Sequence, residues 1–380
     1  MPDQPQGIEK VLNVPCPSCG GGLIYSAEVL RITCEYCGYG EDINEANDKV
    51  EEAALQKAIE ESEKLVPEEE GQKVMDCGNC GAKFMVGTKD VAIDCAFCGS
   101  RKINIEAFEH KYIQPVGIIP FRVPHEDGQI LFEKWIKRGW FHPNKLKRLA
   151  KMEALHGIYL PFWTYDAQTE SNWHGEAGHS YTTTQRVMVN GRWQTQSVQK
   201  IRWTRRSGHL SHFFDDILVV ASEHVQQSLM ERIFPFKLDD VVNYDPRYIL
   251  GWEAEVYDIN VKNGYNIAER IMDGKLHHLV CAEIGGDQQR NVFVQTQKFN
   301  QTFKHIMLPI WICSYKYQNE IYQFAINGQT GKVNGKKPVS WFKIGFLIFL
   351  FVAIIVLIIY LRESGTINIQ FDNRTRFNFG

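Results

Sequence analysis

Four Cys-x-x-Cys-Gly knuckles within the first hundred residues restrict what this chain can fold into more than any other feature. They read Cys16-Pro-Ser-Cys19-Gly20, Cys34-Glu-Tyr-Cys37-Gly38, Cys77-Gly-Asn-Cys80-Gly81 and Cys95-Ala-Phe-Cys98-Gly99. In each half fourteen residues separate the two knuckles, and the second half repeats the first at a constant offset of 61. Two knuckles joined by a short hairpin bring four thiolates together as one tetrahedral all-sulfur site, the coordination that structural zinc takes. The glycine after each second cysteine lets the backbone turn tightly and aim N–H groups at the sulfurs, which offsets the thiolate charge. Four disulfides or redox CxxC pairs are the competing reading, and a spacing repeated twice with four matching glycines argues against it. Two tandem zinc ribbons are therefore expected, over residues 11–40 (Cys16, Cys19, Cys34, Cys37) and 73–106 (Cys77, Cys80, Cys95, Cys98). Each would hold one structural Zn2+ with no position left open for a substrate. The pattern specifies a metal, not a task, because ribbons serve many roles.

Eight of the ten cysteines are used in this way; Cys281 and Cys313 lie in apolar surroundings and are expected to be buried core thiols. Zinc thiolates survive best in a reducing compartment, which places the N-terminal part in the cytosol. Residues 1–15 are polar and lack an apolar signal-peptide core, so no secretory signal is expected there. A chain of 380 residues allows two or three domains, and 44% hydrophobic with 23% charged residues describes an ordinary globular protein. A net charge of −3 gives no overall basic footprint for nucleic acid.

The far end carries the other strong signal. Ile344 to Leu361 is a run of 18 residues without a charge. As a helix it would be roughly 27 Å long, close to the hydrocarbon thickness of a bilayer. Trp341, Phe342 and Tyr360 stand at its ends, where aromatic belts occur. Lys332, Lys336, Lys337 and Lys343 precede the span; Arg362 follows it, with Arg374 and Arg376 further off. The positive-inside rule then predicts one span over 341–361, the N-terminal side in the cytoplasm and a short tail, 362–380, on the other side.

Residues 41–76 hold thirteen Asp/Glu and four Lys. Within them Ala46 to Val66 has the composition of a helix, broken by Pro67-Glu-Glu-Glu-Gly71. A solvated helical linker over 41–72 is expected, or else an acidic surface for a basic partner. The ribbons lack the cationic stripe that grips phosphates, so protein contact is the better expectation for them, with Tyr36, Tyr39 and Phe97 as contact anchors or as packing against the hairpin. Residues 107–156 contain the most basic stretch, Lys134, Lys137, Arg138, Lys145, Lys147, Arg148 and Lys151 with Trp135, Trp140 and Phe141 among them. Two amphipathic helices are predicted there, separated by His142-Pro143-Asn144; the alternatives are contact with anionic lipid heads, an acidic partner or nucleic acid.

From 157 to 337 the pattern turns to β: β-branched and aromatic segments separated by turn residues, as in Gln185-Arg-Val-Met-Val and Lys200-Ile-Arg-Trp-Thr. Leu160-Pro161-Phe-Trp163 is echoed by Leu308-Pro309-Ile-Trp311, each shortly after a histidine, His156 or His305. The echo predicts a duplicated strand unit in one domain, with helices inserted at Ser222–Ile233 and Asn266–His278 and hairpin turns at Asn190-Gly191 and Asn327-Gly328. Little in this domain points to catalysis. Gly328-Gln-Thr-Gly331-Lys332-Val has two residues where a phosphate loop needs four, and reads as a β-turn. His209 and His212 with Asp215 and Asp216 can bind metal only if the strands converge, and His277-His278 and His174 with His179 are weaker pairs. No nucleophile motif is present, so an enzyme is not expected.

The paired CxxCG knuckles, Leu160-Pro-Phe-Trp-Thr-Tyr-Asp166, the Asn327-Gly-Gln-Thr-Gly-Lys-Val333 hairpin and the single terminal span resemble a bacterial family of membrane proteins with a transcription factor IIB-type zinc ribbon. Some members are labelled like primosomal protein N′, a superfamily II helicase; this chain has neither a P-loop lysine motif nor room for motor domains. Other members are similar to proteins encoded beside phage-shock coiled-coil and SPFH-type membrane proteins. The resemblance implies recruitment of such membrane-stress partners at the bacterial inner membrane. Taken together, the expected architecture is two small four-cysteine ribbons joined by a helical linker, an α+β, mainly antiparallel β-rich domain, and one transmembrane helix. The expected role is a zinc-ribbon docking scaffold; a membrane-tethered nucleic-acid binder, or an enzyme with a site in the β-rich domain, are the alternatives.

Overall fold

The computed structural model describes residues 14–43, 50–62, 73–85, 95–98, 100, 103–107, 112–138, 155–189, 191–317, 320–338 and 340–363. The basic segment 145–154, the Pro67 breaker, Gly99, Asn190 and the tail beyond 363 lie outside them. In chain order the strands before the central domain are β1 (Leu23–Ser26), β2 (Arg31–Cys34), β3 (Gly40–Glu41), β4 (Ala53–Ala54), β5 (Lys73–Cys77), β6 (Lys83–Met85) and β7 (Ile103–Ala107), with helix α1 (Leu55–Ser62) after β4. The central domain opens with β8 (Gly117–Ile118) and α2 (His125–Lys137). It then sends out two very long strands, β9 (His156–Val189) and β10 (Arg192–Val220). After α3 (Gln227–Ile233), β11 (Val242–Asn243) and β12 (Glu253–Glu255) comes the helix α4 (Val261–Ile284). A third long strand, β13 (Gln288–Tyr317), follows, then β14 (Glu320–Asn327) and β15 (Val333–Gly335). Helix α5 (Trp341–Glu363) ends the described chain; its stretch Trp341–Leu361 is long and apolar enough to cross a membrane and none of it is buried.

Strand β9 shows how burial shapes a strand. From Ile158 to Ala167 every residue is buried, so both faces are covered. From Gln168 to Gly175 the pattern alternates, Thr169, Ser171, Trp173 and Gly175 facing inward. Here one face is closed by α4: Val280 and Ile284 pack on Trp173, whose indole N–H donates to Glu283 at 2.9 Å. Beyond Gly178, where the pairing with β13 ends at Gln288, β9 and β10 continue alone as a two-stranded arm turned at Gly191. Sequence alternation follows the same order, an apolar run where two faces are covered and polar residues where none is.

The echoed segments face each other. Strands β9 and β13 pair antiparallel with Leu160 opposite Leu308, so the two Leu-Pro motifs meet about a local two-fold axis. The relation extends well beyond the motif. Ala221 N–H donates to Pro161 O at 2.9 Å, as Gly328 N–H does to Pro309 O at 2.8 Å. The Ala221 carbonyl accepts from Asp258 and Ile259, and the Gly328 carbonyl from Arg122 and Val123. Trp163 donates to Ile259 O at 2.8 Å, and Trp311 to Val123 O at 2.9 Å. Strand β12 runs parallel to β9 as β8 runs parallel to β13. A strand–loop–helix (β8–α2 or β12–α4) thus leans on the hairpin of the opposite repeat. Helix α2 therefore belongs to this domain's core through Phe132 and Ile136, and is not a separate basic segment. The helices expected at Ser222–Ile233 and Asn266–His278 are found as α3 and the longer α4.

The closeness of this packing is set by glycine. Gly264 in α4 lies against Trp163 and Tyr165; a Cβ there would sit 2.7 Å from Trp163 Cδ1 and closer still to the Tyr165 hydroxyl. Gly128 holds the equivalent place in α2 against Leu155 and Trp311. The linker also differs from expectation. Its described helix is Leu55–Ser62, shorter than Ala46–Val66, and it is docked: Leu55 is 2% exposed among Trp163, Tyr165 and Phe303. Glu52 accepts from Thr302 at 2.8 Å and from Lys304 at 3.2 Å, while β4 pairs with β13. An acidic stretch so tied to lysine and threonine is not a free spacer.

Two outcomes test this packing in the full chain in detergent. Gly264→Ala lowers unfolding stability by about 1–3 kcal/mol through overpacking, whereas Gly274→Ala in the same helix, with nothing within 4 Å of the new methyl, leaves it unchanged or raises it slightly. His305 is buried beside Trp163, with its Nδ1 at 2.7 Å from Ile113 O, and burial holds its pKa down to about 4. Below the ordinary histidine value the unfolded chain takes up a proton that the fold refuses, so stability falls as pH drops from about 6.5 to about 4. Denaturation curves of wild type and His305→Asn should diverge in that window by up to about 3 kcal/mol.

Candidate metal centres

Each cysteine set converges. Within each foursome one sulfur from every cysteine lies within 4.8 Å of the others. The close pairs run between knuckles: Cys16–Cys37 and Cys19–Cys34 at 3.5 Å, Cys77–Cys98 at 3.6 Å and Cys80–Cys95 at 3.7 Å. All are far longer than the roughly 2.05 Å of a disulfide, and none of the ten cysteines is in a disulfide. A tetrahedron with metal–sulfur bonds of about 2.3 Å has edges of about 3.8 Å, so the spacing fits a metal ion with little adjustment.

The knuckles are built as their glycines predict. Gly20, Gly38 and Gly81 take φ of +73°, +73° and +81°, and each donates to the carbonyl of the first cysteine of its knuckle at 2.8–2.9 Å. Only glycine adopts that backbone without penalty. Cys16, Cys34, Cys77 and Cys95 donate their own N–H to the carbonyls of Gly21, Tyr39, Ala82 and Ser100. The Gly21 N–H also points at Cys19 Sγ, 3.4 Å away. Backbone N–H groups, that of Cys37 first, pull the Cys34 thiol down to about 7, while its close partner Cys19, despite the Gly21 N–H, is pushed up to about 12 by hydrogen bonding with Cys37 and Cys34.

The two modules are seated differently. The first is a three-stranded sheet, β1-β2-β3, leaning on the central domain through Leu250, through the Tyr25–Tyr248 edge contact at 5.3 Å and through Trp252, which donates to Tyr25 O. The second is part of the large sheet: β6 pairs with β12, and Cys77, Cys95, Ala96 and Phe97 share one core with Ile158, Leu160 and Ile310. Ser314 donates to Ala96 O at 2.9 Å. Phe97 is accordingly buried, stacked on Phe84 at 5.5 Å, and is packing; Tyr36 is 75% exposed and Tyr39 half-buried.

Other residues singled out from the sequence do not converge. His209 bonds to Glu170 at 2.6 Å and Asn172 at 3.1 Å, while His212 packs on Phe214 and Asp216 pairs with Lys304. Three residues apart on a strand, the two histidines face opposite sides. Gly328–Lys332 is a turn between β14 and β15 in which the Asn327 side chain accepts from Gln329 and Thr330. Cys313 is buried as expected, but Cys281 is half-buried with its sulfur 3.6 Å from His277 Nε2. A third convergent group carries no sequence motif: His224, Glu255 and Asp258, from two loops and the end of β12, offer ligand atoms within 4.8 Å of one another.

Elemental analysis of the purified full chain should find thiolate-bound metal at both modules, with Cys16→Ser and Cys77→Ser each losing one ion. The thermal unfolding temperature should fall steeply for Cys77→Ser, whose site shares the central core, and little for Cys16→Ser.

No protein-family profile matches the chain, and no solved structure matches it. The chain is similar to the uncharacterized protein YdjG of Bacillus subtilis (strain 168), 25% identical over 335 residues that cover 87% of this chain and 91% of that protein.

Proposed function

We propose that this protein is a docking platform held at the bacterial inner membrane by α5, with its two four-cysteine modules as structural zinc ribbons on the cytoplasmic side. The reading rests above all on the arm formed by β9 and β10 beyond Gly178. About eleven residues per strand carry it roughly 35 Å out from the sheet. Met188 and Trp193 are paired across it and are 59% and 66% exposed, and Tyr181 is 43% exposed. A monomer gains nothing by holding such side chains on a protrusion, whereas a partner would cover them. Between Gly178 and Trp203 the arm carries Arg186, Arg192, Lys200 and Arg202 and no acidic residue, which suits an acidic protein surface. The all-cysteine sites have no open coordination, so zinc there shapes surfaces and does no chemistry. The phage-shock and SPFH-type membrane proteins implied by the resemblance are the partners to look for first.

Those same cations favour a second reading, a tethered nucleic-acid binder. A crosslinked pull-down from nuclease-treated native membranes separates the two. Wild type should recover a defined protein partner that Trp193→Ala with Met188→Ala releases and that Cys16→Ser reports as ribbon-dependent or not. Recovery of nucleic acid without nuclease, with binding that weakens steeply with salt and is lost on neutralising Arg186, Arg192 and Arg202, would replace the docking reading.

A further inference from the structure

His224, Glu255 and Asp258 lie beside the second cysteine module. Glu255 ends β12, the strand that joins this module to the central sheet. The side chain is 1% exposed. One carboxylate oxygen accepts from the Ser222 hydroxyl at 2.8 Å; the other is buried and has no hydrogen-bond partner. Ser222 is itself fixed by the His224 N–H at 3.1 Å. His224 Nε2 stands 3.2 Å from Asp258 Oδ2, and the His224 ring packs on Phe97 at 5.4 Å. A buried carboxyl oxygen without a hydrogen-bond partner is compensated either by a proton or by a bound cation, and the neighbouring His224 and Asp258 supply the further ligands a cation would need.

The local two-fold makes the point sharper, because the opposite repeat shows what this place looks like without a site. The matching backbone bonds at Ala221 and Gly328 align Glu255 with Ile119, Asp258 with Arg122 and His224 with Gly331. Ile119 is fully buried, filling with hydrocarbon the position that Glu255 fills with a carboxylate. Arg122 is satisfied by Asp240 at 2.9 Å. The scaffold therefore folds without metal-ligating residues at these positions. In one repeat three ligand-type residues stand where the other has an aliphatic residue, an arginine and a glycine.

We infer that His224, Glu255 and Asp258 form a third metal site, for a divalent first-row cation bound by one imidazole and two carboxylates. Ligand atoms about 2.0–2.2 Å from an ion stand about 3.0–3.5 Å apart, which matches the His224–Asp258 separation of 3.2 Å. A nitrogen and oxygen donor set accepts Mn2+, Fe2+, Co2+ or Zn2+, whereas the all-thiolate sites disfavour the harder Mn2+. Three protein ligands leave positions open. His224 also lines a cavity of about 340 Å³ with Cys80, Cys98, Arg232 and Gln323, so one of the three ligands borders open space. Unlike the two closed thiolate sites, this one can exchange its ion and bind a further group. Ser222 positions Glu255 and is not itself a ligand.

The test uses the full chain in detergent, isolated with its thiolate-bound metal and stripped of loosely held ions by a mild chelator. Mn2+ is titrated and followed by electron paramagnetic resonance, with bound metal counted by elemental analysis. One additional Mn2+ per chain is expected, with the thiolate-bound metal unchanged. Added Co2+ should give weak d–d bands without sulfur charge-transfer absorption. Glu255→Gln, which keeps the Ser222 bond, and Asp258→Asn should each weaken Mn2+ binding at least tenfold. Glu255→Ile, copying the opposite repeat, should abolish it while the thiolate-bound metal stays in place. The assignment is overturned if wild type takes up no additional Mn2+, Co2+ or Zn2+, a result that does not depend on how any variant folds. It is equally overturned if an additional ion binds as tightly to Glu255→Ile.

Discussion

Everything in the central domain depends on the pairing of β9 with β13 around Leu160 and Leu308. Ten consecutive buried residues of β9 lie along this seam. A strand covered on both faces and hydrogen-bonded on both edges gives up its solvent entirely, so its backbone groups must all be paired and its side chains must interlock. Pro161 and Pro309 each accept one N–H, from Ala221 and Gly328, the residues just past the ends of β10 and β14. The two tryptophans then fix the incoming loops by single indole bonds to Ile259 and Val123. From that seam follow the two glycines that admit α2 and α4 and the core into which the second cysteine module is set.

The cysteine modules show how one motif can serve two structural purposes. Identical spacing gives identical knuckles, yet the first module is a small sheet resting on the domain surface and the second contributes core. The reason lies in what flanks the sulfurs. Ala82, Phe84, Ala96 and Phe97 give the second hairpin an apolar face that must be buried, and β12 offers an edge for it. The first hairpin has Glu35 and Tyr36 at the positions of Ala96 and Phe97, and keeps them exposed.

Much of this was readable in the chain. The eight metal-type cysteines were legible because coordination geometry demands close sequence spacing within each knuckle, and the terminal helix because eighteen uncharged residues leave no polar face. The echo of Leu160-Pro161 was visible as letters. The axis it lies on was not, because which strand pairs with which is decided by contacts 148 residues apart. The docked linker was missed since a single leucine, Leu55, anchors it within an acidic stretch. His224, Glu255 and Asp258 were invisible for the same reason that they are informative: their convergence is produced by the Ala221 carbonyl, which accepts from Asp258 and Ile259, and by the Ser222 hydroxyl, which donates to Glu255 and accepts from the His224 N–H, not by any spacing along the chain.

Lys337 closes the domain from below. Its ammonium is held by the carbonyls of Trp135 and Arg138 and lies 4.0 Å from the Trp135 ring centroid. Only Pro338, Val339 and Ser340 separate this clasp from Trp341, where the apolar helix begins. Even fully drawn out, so few residues reach about 14 Å. For a chain anchored by that helix, the domain cannot lift away or swing freely like a balloon on a string. Anchored in that way it would ride just above the lipid headgroups as a low turret, and the area within which its arm could meet another membrane-bound molecule would be set by lateral diffusion and by the arm's own length, not by slack in a tether.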